Sequence, residues 1–371
     1  MAIKLLSDLV TVVSEHISNP STSGFEIFVG LEHYDAGEPV ITRFGSTANL
    51  ESSVKHFIEG DILVARRNVY LKRAGVVKFE GVTSGDSIVL RVKDECYKDI
   101  IPFILNTEEF WDYAEQNSDG TMSKRLAPDV LLEYECDIPD NHMDIAKKLW
   151  AAYELKEAYK KMIAATDEMV KSQFIEMFGD QNTNDRGWHE SLVKDEFRLT
   201  MGKTPARNNP RYWEDGTLKW ISISDMAAYD RYTGDTSECI TEYAAKDSGI
   251  KVVPKGTIIM SFKLSIGRTA ITSEDIYTNE AIMAFSDFDA SKFNKDFLLF
   301  LLSSKNWLLG AKQAVKGQTL NKESIGNSKI IVPPMEKQDE FARIYNQADK
   351  SKFELRQAID KIDKVMKSLL Q

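Results

Sequence analysis

Residues 143–178 read MDIAKKLWAAYELKEAYKKMIAATDEMVKSQFIEMF, with neither glycine nor proline among them. Ile145, Leu149, Ala152, Lys156, Tyr159, Ile163, Thr166, Val170, Gln173 and Met177 follow one another by alternating steps of four and three. That spacing places side chains along one seam of an α-helix, as in a coiled coil. Asp140 or Asn141 can cap the start, and Gly179 stands where the helix should stop. A second series runs Phe341, Ile344, Ala348, Ser351, Leu355, Ala358, Ile362, Val365 and Leu369, behind Pro333-Pro334. Each helix should be about 36 residues, or roughly 54 Å at 1.5 Å per residue. A lone helix is marginal in water, so the two stripes are expected to cover each other. Small seam residues (Ala152, Ala348, Ala358) permit close approach, while Lys156, Thr166 and Gln173 interrupt the first stripe and can fix register. The competing arrangement lays each helix on the core of its own domain.

Outside the helices the chain repeats itself. Gly60-Asp61-Ile62-Leu63 returns as Gly256-Thr257-Ile258-Ile259, and Trp111 returns as Trp307, both at an offset of 196. Ser87-Ile88-Val89 is echoed by Ala281-Ile282-Met283, and Ile138-Pro139 by Val332-Pro333, at 194. Gly120 to Lys124 matches Gly317 to Lys322 with one insertion. A common order and a nearly constant offset indicate tandem duplication. Strands are expected at Asp61–Ala65, Ile88–Val92, Leu131–Ile138, Thr257–Ser261 and Lys329–Val332, and helices at Ile100–Tyr113 and Lys295–Leu309. The predicted fold class is α/β (α+β): two similar globules, each ending in a strand and then a long helix. Two like domains on a stiff spacer form a ruler.

At 371 residues and 43% hydrophobic, the chain can bury two cores. Its three cysteines lie far apart with no CxxC pair, which excludes a zinc ribbon by spacing and fits a reducing compartment. The longest apolar run, Phe297 to Leu302, falls far short of the roughly 20 residues of a membrane span, and the N-terminus lacks the pattern of a signal peptide. A cytoplasmic protein is expected. The net charge of −10 divides unevenly: residues 1–141 hold 13 Lys/Arg against 24 Asp/Glu, while residues 186–334 hold 20 against 18. Nucleic acid responds to local patches, so the total does not decide.

Catalytic signatures are missing from the sequence: no GxxxxGK[ST], GxGxxG after a strand, HExxH or GxSxG. The five histidines are scattered. Asn209-Pro210-Arg211-Tyr212 departs at its third position from the Asn-Pro-Pro-Tyr loop of adenine methyltransferases, and reads as coil. Basic residues next to aromatics and turns are the better candidates. Arg66, Arg67, Tyr70, Lys72 and Arg73 follow the strand after Gly60-Asp61, and Lys263 and Arg268 hold the matching place in the second half. Lys203, Arg207 and Arg211 lie ahead of them, and two glycine loops carry Lys124 and Lys316, Thr319 and Lys322. Lysine and arginine neutralise phosphates, and arginine also takes both major-groove acceptors of guanine. No cofactor or metal site of the chain's own is expected. Two other readings stand beside DNA recognition: a fragment or relative of a single-chain restriction enzyme or methyltransferase, and a helical scaffold that binds no DNA.

Several stretches of the second half carry a family likeness. They are Gly187-Trp188 with Leu192, Gly202-Lys203-Thr204-Pro205, Tyr212 with Gly216, and Lys219-Trp220-Ile221-Ser222. Lys255-Gly256-Thr257-Ile258-Ile259, Ile266-Gly267, Gly317-Gln318-Thr319 and Val332-Pro333-Pro334 with Gln338 complete the set. Together they resemble the DNA-specificity subunits of type I restriction–modification systems. Val29-Gly30-Leu31-Glu32 with Tyr34, and Gly85-Asp86-Ser87-Ile88-Val89-Leu90, extend the likeness to the first half. The resemblance implies target-recognition domains at 1–141 and 180–334, each reading one half of a split, asymmetric site in double-stranded DNA. It implies that 142–179 and 335–371 form an antiparallel helical spacer that docks partner subunits. Ile145, Leu149, Tyr159, Ile163, Val170, Phe341, Ile344, Leu355, Ile362 and Leu369 would line that seam. Two methyltransferase subunits would bring S-adenosylmethionine, and two restriction subunits, with ATP and Mg2+, can join. Residues 1–141 lack the Gly-Lys-Thr-Pro element and have one proline where the second half has two.

Overall fold

The computed structural model describes residues 2–120, 123–309, 313–314, 317–318 and 320–370. The chain divides into two compact units, each made of two segments: Met1–Lys161 with Leu355–Gln371, and Met162–Glu354.

In the first unit a five-stranded sheet runs in the order Val10–Val13, Ser87–Val92, Ile62–Ala65, Ala74–Val77, Val40–Ile41. Its central strands are apolar on both faces because both faces are covered. Ile62, Val64, Ile88 and Leu90 point into a core with Phe103, Phe110 and Trp111. Their neighbours Leu63, Ala65 and Val89 point the other way, onto Val29, Tyr34 and Phe57. Val29 and Phe57 belong to a second sheet, ordered His16–Ile17, Val54–Phe57, Gly81–Thr83, Ile27–Val29, Gly45–Ser46. Ala2–Leu5 pairs antiparallel with Glu135–Ile138, the strand that leads into the first long helix.

The second unit repeats this plan with less elaboration. A four-stranded sheet runs Arg198–Met201, Ile282–Ser286, Ile258–Ser261, Thr269–Ile271. A three-stranded sheet runs Glu238–Ile240, Leu218–Ile221, Tyr277–Thr278, and Glu190–Leu192 pairs antiparallel with Lys329–Ile331. The order repeats, but the pairing sits one residue away from the sequence echo, which matches Ile88 to Ile282, the partner of Ser261. Val64 lies opposite Ile88 in the first unit, and Met260 opposite Met283 in the second. Alternation recurs too: Ile258, Met260 and Phe285 enter the core beside Phe297, while Ile259, Ile282 and Ala284 enter the other. The sequence repeat is therefore a repeat of topology.

The long helices are His142–Phe178 and Met335–Leu370, of 37 and 36 residues. Gly179 follows the first with φ 74°, the left-handed stop that glycine adopts freely. Within the first unit Ala146, Leu149 and Tyr153 join the core, Met366, Leu369 and Leu370 pack against it, and Lys156 Nζ lies 2.8 Å from Asp363. Within the second unit Phe174 and Phe178 meet Phe341, and Lys352 Nζ lies 2.7 Å from Asp167. In the second unit the partner number falls on one helix as it rises on the other, so the pairing there is antiparallel. Both arrangements weighed from the sequence coexist, since the helices pair with each other and also lie on the globular cores. Every seam position of the first helix is buried or half-buried, and Lys156 is among the buried ones. On the second helix Val365 departs, at 55% exposed.

Three expected elements change. The helix at Ile100–Tyr113 is two, Ile101–Ile104 and Glu108–Gln116, because the Thr107 hydroxyl accepts a bond from the Phe110 N–H and starts a new helix. Pro128 presets the backbone for a short helix, Pro128–Leu132, so the strand expected from Leu131 begins only at Glu135. The helix from Lys295 ends at Ser304, before Trp307.

Candidate nucleic-acid interface

In the first unit the chain leaves the strand Ile62–Ala65 into a loop with two non-glycine residues at positive φ, Asn68 at 55° and Lys72 at 49°. The loop is held from outside by the segment around Lys124. Asn68 N–H donates to the Lys124 carbonyl (2.9 Å), and Leu126 N–H donates to the Arg66 carbonyl (2.8 Å). Arg73 turns inward and donates to the carbonyls of Leu31 (2.9 Å) and Arg67 (3.0 Å), so it shapes the loop. Lys72 is paired with Glu108, and Lys124 donates to the Glu115 carbonyl at 3.1 Å. Arg67 donates through Nε to the Ser123 hydroxyl at 2.9 Å and has its head half exposed beside Asp86, 3.7 Å away. Tyr70 points outward, 56% exposed. The two cationic heads that stay at the surface around Asp86 are Arg67 and Arg125, the latter 3.1 Å from the carboxylate. Arg125 was not among the residues singled out from sequence; its place directly after Lys124 was the available signal.

In the second unit the candidates divide into a stacked group and a loop group. The Arg207 guanidinium lies 4.0 Å from the Trp213 ring centre and 4.9 Å from that of Trp220, and it pairs with Glu238 through both nitrogens. Such stacking and forked pairing hold a planar cation in one orientation. The Arg211 guanidinium lies 4.6 Å from the Tyr243 ring centre. Lys203 donates to the Ser248 carbonyl. Lys263 is exposed, next to Leu264 at 89% exposed and φ 63°, and Arg268 donates to the Ala227 carbonyl at 3.1 Å. Burial raises the Glu280 carboxyl, but the Thr204 hydroxyl bond with Lys263 and Arg207 outweighs it and holds the group below its ordinary range. Lys322 opens the short helix Lys322–Gly326 and is exposed. Lys316 and Thr319 lie outside the described residues.

Gly202 explains part of the Gly-Lys-Thr-Pro element. A Cβ there would stand 2.0 Å from the Thr278 carbonyl oxygen and 2.4 Å from that of Asn279. The bare backbone lets Lys203 N–H reach the Thr278 carbonyl at 2.8 Å, which sets the path of the following loop. Gly202→Ala is expected to cost about 1–3 kcal/mol by overpacking, read as a lowered denaturant midpoint. A change under about 0.5 kcal/mol would contradict this close approach.

Along the long helices, Leu149, Val170 and Phe341 are buried at 0%, 3% and 0% exposure, so they serve the chain's own packing and offer no docking surface. Ile145, Tyr159, Ile163, Ile344, Leu355, Ile362 and Leu369 are half-buried. Outward apolar positions include Leu155, Met162 and Met169, each seven residues after the last and 45%, 53% and 46% exposed, besides Met143, Ile175, Phe353 and Val365. The inward seam masks this second heptad row in the sequence.

Among the described residues no cluster of three or more His, Cys, Asp or Glu could hold a metal ion, and no helix is long and apolar enough to cross a membrane.

Residues 185–364 match the model of the type I restriction modification DNA specificity domain. The MjaIX specificity subunit of the type I restriction enzyme of Methanocaldococcus jannaschii is 27% identical over 168 residues, 44% of this chain and 38% of that protein. The HindI specificity subunit of Haemophilus influenzae is 26% identical over 155 residues, 41% and 33% respectively. These alignments span only about a third to two fifths of the relatives' lengths. The type I specificity subunit of M. genitalium has the same fold, with TM-score 0.55 at 14% identity over 100% of this chain and 94% of that one. A chain from a type I system studied for complex assembly and conformational transition gives TM-score 0.56 at 16% identity, over 100% and 96%. Residues 185–364 thus carry a type I restriction modification DNA specificity domain, and the chain as a whole has the fold of the type I specificity subunits.

Proposed function

We propose that this chain is the sequence-reading, non-catalytic subunit of a type I restriction–modification complex, working in the cytoplasm on a bipartite, asymmetric site in double-stranded DNA. Residues 1–141 and 180–334 are the two target-recognition domains, and 142–179 with 335–371 are the spacer. Arg66, Arg67, Tyr70, Lys203, Arg207, Arg211, Lys263, Arg268 and Lys322 are its candidate DNA contacts among the described residues. Two methyltransferase subunits carry S-adenosylmethionine, and two restriction subunits carry ATP and Mg2+; the outward row Leu155, Met162 and Met169 supports docking on the spacer.

One observation carries the reading. The same sheet is built twice from dissimilar sequence, and each copy sends a cation-bearing loop from the same strand, Arg66–Arg73 after Ile62–Ala65 and Phe262–Arg268 after Ile258–Ser261. Two similar scaffolds with different exposed side chains suit two different half-sites, since base edges are told apart by the donors and acceptors offered to them. Exchanging residues 180–334 for the corresponding domain of a relative should change one half of the recognised sequence and leave the other intact, as read by mapping methylated adenines. A change in both halves would contradict independent readers.

A further inference from the structure

In the first unit, residues 1–141 carry an excess of acids, yet Lys55, Arg67 and Arg125 gather around the carboxylate of Asp86. Asp86 stands on the turn between strands Gly81–Thr83 and Ser87–Val92, and that turn is braced from below. The Tyr34 and Ser87 hydroxyls lie 2.8 Å apart, and the Thr83 hydroxyl donates to the Val29 carbonyl at 2.7 Å. Burial pushes the Tyr34 phenol up to about 12, so it stays neutral and bonded. Lys55 Nζ reaches over the same turn, to the carbonyls of Ser87 (2.7 Å) and Gly85 (3.3 Å). Arg66 N–H donates to the Asp86 carbonyl at 2.9 Å. The backbone that carries the carboxylate is thereby fixed.

Arg125 is what the carboxylate touches most closely. One guanidinium nitrogen lies 3.1 and 3.4 Å from the two Asp86 oxygens, with the side chain 52% exposed. The Arg125 backbone is anchored by paired bonds with Asp119, at 2.8 and 3.0 Å. A solvent-exposed arginine otherwise loses considerable side-chain freedom on binding; a carboxylate behind it removes part of that cost in advance. The same carboxylate selects the ligand. A phosphate meeting Arg125 would stand beside the negative charge of Asp86, whereas guanine offers two uncharged acceptors, N7 and O6, to a planar fork.

We infer that Arg125 reads a guanine edge in the half-site met by the first unit, with Asp86 as its positioning residue. The inference rests on the DNA-reading function proposed above and adds a residue and a base to it. The test uses the full-length chain assembled with its methyltransferase partner. Binding is measured to duplexes substituted one position at a time, in the half-site that survives exchange of residues 180–334. The wild-type complex should show a G·C position that Arg125→Ala ceases to discriminate, a loss of about tenfold to a hundredfold, with other positions and the salt slope unchanged. Arg125→Lys, which keeps the charge without the fork, should lose most of the same discrimination. Asp86→Asn should blunt it at that same position with the salt slope intact. Uniform weakening across sequences with a salt slope smaller by about one would identify a phosphate contact instead and overturn the inference, as would unchanged discrimination in Arg125→Ala. A wild-type complex with no sequence preference would overturn the proposed function as well, and so tells the two failures apart.

Discussion

Phe341→Ala should lower the stability of the second unit by about 3–5 kcal/mol, the range for removing a fully buried aromatic ring. Phe341 lies in the second turn of the second long helix and is 0% exposed. Its ring centre is 5.3 Å from Phe174 and 5.8 Å from Phe178 at the end of the first long helix, and 5.0 Å from Phe300 on the helix Lys295–Ser304. Tyr345 stacks on it at 6.0 Å. One side chain thus joins three helices, and the vacancy it leaves is bounded by rings that are themselves held by others, so collapse around it is limited. Phe353→Ala on the same helix is the comparison: that ring is 58% exposed, and its loss should fall within about 0.5 kcal/mol. Denaturant unfolding of the two variants measures the contrast. If both moved the midpoint equally, the aromatic junction would not be what holds the helices to this unit.

The junction also illustrates what local sequence could tell. Steps of four and three identify the seam because they concern neighbours on one helix, and the positions they name are buried or half-buried except Val365. Tyr153, Phe174 and Phe178 sit beside that seam and are buried by the globular cores, which no helical period reveals. The apolar runs at Ile62–Ala65 and Ile258–Ser261 are legible as strands, since sheets covered on both faces need them continuous. The pairing of Ala2–Leu5 with Glu135–Ile138 is not, because it closes across the whole first domain. At the candidate interface the repeat located the loops, but the partner of each cation comes from elsewhere. Lys72 is paired with Glu108, Lys203 with the Ser248 carbonyl and Arg125 with Asp86. Which cation faces outward is thus decided by acceptor oxygens 36 to 45 residues away, beyond the reach of any local pattern.

Arg231→Ala should cost about 3–5 kcal/mol, for a reason different from cavity formation. The Arg231 side chain is 8% exposed, paired with Asp296 at the start of the helix Lys295–Ser304 and with Asp349 of the second long helix at 3.3 Å. Its guanidinium lies 5.1 Å from the Tyr345 ring centre. Its carbonyl accepts the Ile271 N–H at 2.8 Å, which ties the arginine to the edge strand Thr269–Ile271. Removing the cation leaves two half-buried carboxylates without their counter-charge, close to the same aromatic ring, and that residual repulsion and desolvation dominate the loss. A variant with Arg231→Met, Asp296→Asn and Asp349→Asn together removes all three charges while keeping most of the volume. It should recover the larger part of the stability lost in Arg231→Ala, because a neutral packed site replaces an unbalanced one. Equal destabilisation in the two variants would show that packing by the arginine stem, and not charge balance, holds this loop to the helix.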